Sequence, residues 1–242
     1  MSRSLRRIEL AAAYLLHHRP WRDTSRILEV LTREHGRFTL FARGVRAPGA
    51  KLSSILQPFQ PLLLSWSGRG EAPLLTGAER AAHVAPLPGE CLLGAFYLNE
   101  LLLRLTTRHD PLPELYDQYD RALAQLRAQA PLAPALRLFE KRLLQLLGYG
   151  LDLATEAHTG KPLEPDGYYH FRPGEGLVRA RAREPRALSG RSLLALEGGR
   201  LCGARELADA RQLLQAALGA CLEGRPLVTR AVARSMQRKA AQ

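Results

Sequence analysis

The side chains best suited to bind a ligand are arginines that recur through residues 21–46, WRDTSRILEVLTREHGRFTLFARGVR. A guanidinium group binds phosphate oxygens with two parallel hydrogen bonds and stacks on flat rings. Only Asp23, Glu29 and Glu34 offset this charge within the stretch. The pattern predicts a positively charged sheet surface that binds the backbone of a nucleic acid. The expected phosphate contacts, which include two basic residues further along the chain, are Arg22, Arg26, Arg37, Arg43, Arg46, Lys51 and Arg69.

Three aromatic residues of the same region, Trp21, Phe38 and Phe41, are candidates for stacking on bases. Phe38 and Phe41 are three positions apart on one predicted strand, so their side chains lie on opposite faces. At most one of them therefore faces a ligand. Packing in the hydrophobic core is the favoured interpretation for both.

Residues that could catalyse a reaction are poorly arranged. His17 and His18 are adjacent, so on a strand they point to opposite faces and do not form a metal pair. Four acidic residues have helical spacing and could bind a cation in a nuclease, but a solvated helix face is the commoner meaning. They are Asp110, Glu114, Asp117 and Asp120. The sequence has neither a nucleotide-binding glycine loop with its lysine nor a G-x-S-x-G motif, so a non-enzymatic protein without a cofactor is predicted.

The chain as a whole is strongly basic. Its 242 residues include 35 Lys or Arg against 23 Asp or Glu, a formal net charge of +12. An excess of this size points to a polyanionic partner, most often a nucleic acid and next an anionic membrane surface. No stretch approaches the roughly 20 apolar residues of a membrane span.

The cysteines and the N-terminus favour a cytoplasmic protein. Cys91, Cys202 and Cys221 contain no CxxC pair and are odd in number, which argues against a disulfide framework and against a cysteine zinc site. The apolar run after the basic N-terminus is broken by Glu9 and is not followed by a small-residue cleavage pattern. We interpret this run as a first strand and not as a signal peptide.

Short apolar runs in the first third of the chain predict five strands of a small β-barrel. The first run, from Ile8, is expected to end before Pro20, because proline interrupts regular pairing. Glu34-His35-Gly36 predicts a hairpin turn, and Gly44 to Ser54 predicts a mobile loop that faces phosphate.

Beyond residue 85 the apolar residues recur at helical spacing. Three segments, 91–106, 113–129 and 134–147, are predicted to form a helical bundle. Residues 151–187 lose this periodicity and carry a short predicted hairpin at 168–171 and 176–181. Two further helices are expected at 190–196 and 205–222. The tail from Arg225 has several arginines and no acidic residue, and residues 229–238 are predicted to be a basic helix.

Five segments of the sequence carry a resemblance to a known family: AYLLHHRPWRDTSRILEVLTREHGRFTLFARGVR, LQPFQPLLLSWSGRGE, FYLNELLLRL, PALRLFEKRLLQLLGYG and GRPLVTR. In this order and spacing they resemble the bacterial RecO proteins, mediators of recombinational DNA repair. The resemblance covers nearly the whole chain. It implies an α+β protein with a five-stranded OB-fold DNA-binding barrel at 1–82 and a mainly helical domain at 83–242. Within the second domain lie an irregular segment at 151–187 and a basic tail at 225–242.

The resemblance also implies a function. Such proteins bind single- and double-stranded DNA, anneal complementary strands and help to load the RecA recombinase onto DNA coated by single-strand-binding protein, in the RecF/RecOR pathway. The implied partners are RecR and the acidic C-terminal tail of single-strand-binding protein, and the implied location is the nucleoid in the bacterial cytoplasm. A helix with an apolar face and a basic rim suits that tail. The expected contacts are Arg137, Phe139, Lys141 and Arg142.

Two points follow from the resemblance and the residues together. Some family members hold zinc with four cysteines after the helical bundle, whereas the matching stretch here has His158 and His170 but no cysteine, so we expect no metal. Strand annealing itself needs no catalytic group, because it requires only that phosphate repulsion be neutralised while the bases stay free. The alternative is a basic RNA-binding or ribosome-associated factor that uses the same barrel.

Overall fold

Five strands near the N-terminus close into a barrel in the computed structural model. They are β1 Arg7–Trp21, β2 Ser25–Thr32, β3 Gly36–Ala42, β4 Leu62–Ser67 and β5 Leu74–Arg80. Their order is β1-β2-β3-β5-β4, and β4 also pairs with β1. The β3–β5 pair is parallel and joins at Phe41 and Leu74, whereas the others are antiparallel. This arrangement is the five-stranded OB barrel, which confirms the predicted α+β class.

Alternation of side chains places the core of the barrel. Successive residues of a strand point to opposite faces, and in β2, β3 and β4 the even-numbered positions point inward. The inward residues of these strands are Leu28, Val30, Phe38, Leu40, Ala42, Leu62, Leu64 and Trp66. The odd-numbered positions of β2 and β3 consequently face outward and are available for other contacts.

Strand β1 is longer than predicted. It continues through Pro20 to Trp21, so the expectation that the strand ends before Pro20 is wrong. Strand β4 pairs with β1 only as far as Ala13, and beyond this point β2 alone lies beside β1. One edge of this part of β1 therefore makes no hydrogen bonds to a neighbouring strand among the described residues. Pro20, which has no N–H group, is tolerated at such an edge. The last residues of the predicted 44–54 loop also differ from the prediction, because they begin a short helix, α1 Lys51–Ile55.

The structure describes residues 7–68, 70–149, 151–181 and 184–240, and their contacts divide the chain into two compact units between Ala128 and Gln129. Helices α2 Gly89–Leu105 and α3 Pro113–Arg127 belong to the barrel unit, and α4 Leu132–Leu146 to the second. The spacing predicted a bundle of all three helices, whereas α2 and α3 belong to one compact unit and α4 to the other. The change from strands to helices lies near the expected boundary at residue 82, but the compact unit extends further.

A buried polar cluster attaches α2 and α3 to the barrel. The Tyr14 ring of β1 packs against the rings of Tyr116 and Tyr119, at centroid distances of 5.5 and 5.1 Å. Its hydroxyl donates a hydrogen bond to Asp120. Burial, followed by the Asp120 carboxylate, raises the pKa of Tyr14, so the hydroxyl stays protonated and remains a donor. The Asn99 side-chain amide of α2 donates to the Leu16 carbonyl oxygen at 2.8 Å.

The second unit combines helices with a small sheet. Its helices after α4 are α5 Gly190–Glu197, α6 Ala204–Cys221 and α7 Val228–Ala240, and its strands are β6 Tyr168–Arg172, β7 Gly176–Ala180 and β8 Leu188–Ser189. The sheet order is β7-β6-β8. The predicted hairpin and the predicted basic helix at 229–238 are both confirmed by these elements. None of the described helices has the length and apolarity that crossing a membrane requires.

Side-chain pairs connect the turns of the 151–187 segment. His158 contacts Glu175, and His170 Nε2 lies 2.8 Å from a Glu184 carboxylate oxygen. Arg179 donates to Glu164 at 2.7 Å. Among the described residues, no three His, Cys, Asp or Glu side chains are grouped so that they could hold a metal ion. Hydrogen bonds and ion pairs join the parts of this segment.

Candidate nucleic-acid interface

The outer surface of strands β1, β2 and β3 carries the aromatic residues of the candidate site. Ile27 of β2 lies opposite both Arg19 of β1 and Phe41 of β3, and Trp21 lies opposite Ser25. Directly opposed residues share one face of an antiparallel sheet. Leu28, Leu40 and Ala42, which alternate with Ile27 and Phe41, belong to the barrel core, so this face points outward. We call this surface, made of Arg19, Trp21, Ser25, Ile27 and Phe41, the β1–β3 face.

A pocket of about 470 Å³ opens at one end of the β1–β3 face. It is lined by Trp21, Arg22, Thr24, Ser25, Phe41, Arg43 and Gly44, and we call it the Trp21–Phe41 pocket. Its rim is made by the β1–β2 turn and by the loop after β3. These two loops are tied together by Arg46, whose backbone N–H donates to the Thr24 carbonyl oxygen at 2.8 Å and whose Nη1 donates to the Arg22 carbonyl oxygen at 3.2 Å.

Each aromatic residue of the pocket has an arginine over its ring. The Arg19 guanidinium carbon lies 5.9 Å from the Trp21 ring centroid, and that of Arg43 lies 6.0 Å from the Phe41 centroid. These distances are at the outer limit of about 6 Å for a cation–π contact, so the rings are only weakly occupied. Trp21 is 41% exposed and Phe41 is partly exposed. The core prediction is thus confirmed for Phe38, which is 2% exposed, and wrong for Phe41, which has the opposite parity.

Three of the predicted phosphate-binding residues come together around the pocket. Arg22, Arg43 and Arg46 are exposed, and none of them pairs with a carboxylate among the described residues. Lys51 is also exposed and begins α1, a few residues along the same loop. Arg26 is different, because it lies opposite the core residue Ala42 and its side chain therefore leaves β2 on the inner face of the sheet. Arg69 lies outside the described residues.

Arg37 occupies a place inside the protein. Its Nε and Nη2 donate to the hydroxyl and carbonyl oxygens of Thr106, at 2.9 and 2.6 Å. Its Nη1 donates to Glu29 at 3.2 Å, and Glu29 also accepts from Thr39 at 2.7 Å and from Arg108 at 2.6 Å. Burial lowers the pKa of Arg37, and Glu29 opposes the shift. Arg37 thus neutralises the Glu29 carboxylate, and it is 9% exposed.

The acidic residues considered for a nuclease are in part engaged elsewhere. Arg33 Nε donates to Asp117 at 2.9 Å, and this hydrogen bond holds the pKa of Asp117 below its ordinary value. Asp120 accepts the Tyr14 hydroxyl. Neither carboxylate belongs to a group of metal-binding side chains within the described parts of the chain.

Comparisons with known proteins agree on one family. The model of the Recombination protein O N-terminal domain matches residues 7–82, and that of the C-terminal domain matches residues 89–231. A protein of Nitrosococcus oceani named DNA repair protein RecO is 44% identical over 96% of this chain and 95% of its own length. One of Methylococcus capsulatus with the same name is 43% identical over 95% and 94%. The chain belongs to the RecO family. The resemblance drawn from five sequence segments is therefore confirmed.

Most of the residues predicted to bind the tail of single-strand-binding protein lie on the buried side of helix α4. Arg137, Phe139 and Lys141 are all buried. Arg137 donates to Glu140 at 2.7 Å. Lys141 Nζ donates to the carbonyl oxygens of Leu196 and Glu197 at the end of α5, at 3.3 and 2.7 Å. Arg142 is half-buried. A cation at a helix C-terminus stabilises the helix, so Lys141 has a structural role whether or not a tail binds.

Sequence reasoning missed two residues of the candidate interface. Arg19 was not considered, because β1 was expected to end before Pro20, yet it lies on the same face as Trp21, two positions away. Ser25 was also missed, although it lies on the ladder between Trp21 and the end of β3. Alternation of side chains would have indicated both residues if β1 had been predicted to continue through Pro20 and β2 to begin at Ser25.

Proposed function

We propose that this RecO-family chain is a non-enzymatic mediator of DNA repair and recombination. In this proposal it binds single- and double-stranded DNA at the bacterial nucleoid, anneals complementary strands and helps to load RecA onto DNA coated by single-strand-binding protein, in the RecF/RecOR pathway. The observation that carries the proposal is the set of exposed arginines, Arg22, Arg43 and Arg46, around a pocket at the β1–β2 turn of an OB barrel. Strands 2 and 3 and this turn are where OB folds bind oligonucleotides.

The electrostatics of the site suit annealing. Two DNA strands repel each other through their phosphates, and bound arginines replace the counterions that screen this repulsion. Because Glu29 is already paired with Arg37 and Arg108, its carboxylate contributes little opposing charge to the same surface. A strand held by its phosphates keeps its base edges available, so a complementary strand can pair with it.

Annealing in the presence of single-strand-binding protein tests the proposal. Complementary strands are coated with single-strand-binding protein and mixed with the chain, and duplex formation is followed with a fluorescent donor–acceptor pair. We expect the chain to accelerate annealing, and addition of RecR to promote RecA assembly on the coated strand. Annealing at the rate seen without the chain would refute the mediator function. Competition between DNA and RNA strands of equal length distinguishes the alternative, since an RNA-binding factor would prefer RNA.

Contact with the tail of single-strand-binding protein is proposed for α4, and Arg142 is the least buried of the three basic residues predicted for it. Replacing Arg137 or Lys141 removes internal hydrogen bonds, so a thermal melt accompanies every α4 variant to separate a loss of tail binding from a loss of packing. We expect Arg142→Ala to weaken binding of a tail peptide several-fold, because one charged contact to a carboxylate is worth about 1 kcal/mol. Peptide titration by anisotropy measures this, with Arg200→Ala, an exposed residue after α5, as the control. Equal affinity of both variants for the peptide would place the tail on a different helix.

A further inference from the structure

We propose that the Trp21–Phe41 pocket receives one unstacked base of single-stranded DNA, so that a strand is held by a base as well as by its phosphates. The inference rests on the proposed function and specifies how its site recognises the ligand. Phosphate contacts alone do not distinguish a single strand from a duplex, whereas a base can enter a pocket only when it is unpaired and unstacked.

The strand register gives the pocket the form of a slot. Ser25 lies on the central strand β2, with Trp21 directly opposite it on β1. Phe41 stands on β3, on the other side of β2 and two positions further along, where it lies opposite Ile27. Neighbouring strands are about 4.8 Å apart and two residues of a strand span about 6.8 Å, so Trp21 and Phe41 lie diagonally across the pocket, about 12 Å apart at the backbone. This is wider than the roughly 7–8 Å that a ring in contact on both sides needs, so a base that enters between the two walls stacks on one of them. The volume of about 470 Å³ is large enough for a nucleotide.

The floor and the rim of the slot supply the remaining contacts. The Ser25 hydroxyl makes no hydrogen bond to any other described residue and can donate to, or accept from, the edge of a base. A serine pairs with any of the four bases, and every base has a π-face, so the pocket accepts a strand irrespective of its sequence. This tolerance is what annealing of arbitrary sequences requires.

The arginines over the two rings give the pocket a way to exchange partners. Arg19 and Arg43 lie at 5.9 and 6.0 Å from the ring centroids of Trp21 and Phe41, where the attraction is weak. A base that stacks on either ring displaces the guanidinium group, which then becomes available to the phosphate of the same nucleotide. The base contact and the phosphate contact are thereby made together.

Tryptophan fluorescence provides a direct readout, because the chain has two tryptophans and only one of them is accessible. Trp66 is 6% exposed and belongs to the barrel core, whereas Trp21 is 41% exposed. We expect a dT oligonucleotide to quench the fluorescence of the full chain. An oligonucleotide of the same length made of abasic sites should bind through its phosphates without quenching. Trp21→Phe should remove the quenching and retain most of the affinity, which assigns the signal to Trp21 and restores a stacking ring.

The affinity of Trp21→Ala completes the test. Loss of one stacked base should weaken dT binding about 5- to 150-fold, while duplex affinity and the salt dependence stay unchanged. Trp21 is at the surface, and a thermal melt verifies that the variant is folded. Suppose that dT binds with a normal salt dependence, does not quench Trp21, and binds Trp21→Ala as tightly as the wild-type chain. The base-pocket proposal is then wrong, and the proposed DNA-binding function stands. If dT and the abasic strand both fail to bind the wild-type chain, the proposed function itself fails.

Discussion

Replacement of Arg22, Arg43 and Arg46 together by glutamine should weaken binding of a dT oligonucleotide about 100-fold at 0.1 M salt. Each phosphate neutralised on a single strand contributes about −0.7 to the slope of log affinity against log salt. Loss of three contacts should flatten this slope by about 2. These residues are exposed around the pocket, glutamine remains polar, and the backbone hydrogen bond from Arg46 to Thr24 is retained, so the fold should be preserved. Fluorescence anisotropy over a series of salt concentrations measures both quantities.

A matched variant separates local contact from overall charge. Arg121, Arg200 and Arg211 are exposed arginines that lie outside the β1–β3 face, and their replacement by glutamine changes the net charge by the same amount. We expect this control to retain most of the affinity and nearly all of the salt slope, because long-range attraction between exposed charges is screened beyond about 10 Å at this salt concentration. Equal losses in the two triple variants would show that total charge, and not the pocket, determines DNA binding.

Replacement of Gly36 by alanine should destabilise the barrel unit by roughly 3 kcal/mol. Gly36 has φ +68°, and a Cβ atom at this position would lie 2.2 Å from the Asp110 carbonyl oxygen. The left-handed conformation costs an L-residue about 1–2 kcal/mol. The clash also forces residues 108–110 away from β3, which breaks the hydrogen bond from the His109 N–H to the Arg37 carbonyl oxygen at 2.8 Å. Urea unfolding followed through the buried Trp66 measures the loss.

Gly49 offers a control for Gly36 that has the same backbone strain without the collision. Its φ is +76°, and an added Cβ would meet no atom within 4 Å. Gly49→Ala should therefore cost only the conformational part, about 1–2 kcal/mol. If both glycine variants unfold at the same urea concentration, residues 108–110 contribute little to the stability of the barrel.

Local patterns predicted the elements of this fold well. Short apolar runs indicated the strands, and the opposite parity of Phe38 and Phe41 correctly indicated that at most one of them could face outward. Turn residues located the β6–β7 hairpin, and helical spacing located each of α2 to α6. These features depend on neighbours in the sequence, so a single chain contains the information.

Features that depend on distant partners were not predictable in this way. Arg37 was expected to bind phosphate, but its partners include Thr106, 69 positions away. Lys141 was expected at an exposed rim, yet the carbonyl oxygens that it binds lie at the end of α5. The two loops at the rim of the pocket are distant in the sequence and are joined by the hydrogen bonds that Arg46 makes to Arg22 and Thr24. A basic residue has the same appearance in a sequence whether its partner is a carbonyl oxygen or a phosphate.

The bridge between Arg37 and Arg108 protects the edge of β3 that faces away from β2. The His109 N–H also donates to the Arg37 carbonyl oxygen, and Phe41 further along the strand pairs with Leu74 of β5. This edge is therefore paired within the protein near both ends of β3. An open strand edge invites pairing with a strand of another molecule. The barrel offers little of this edge for such association, and β3 presents its outward side chains instead.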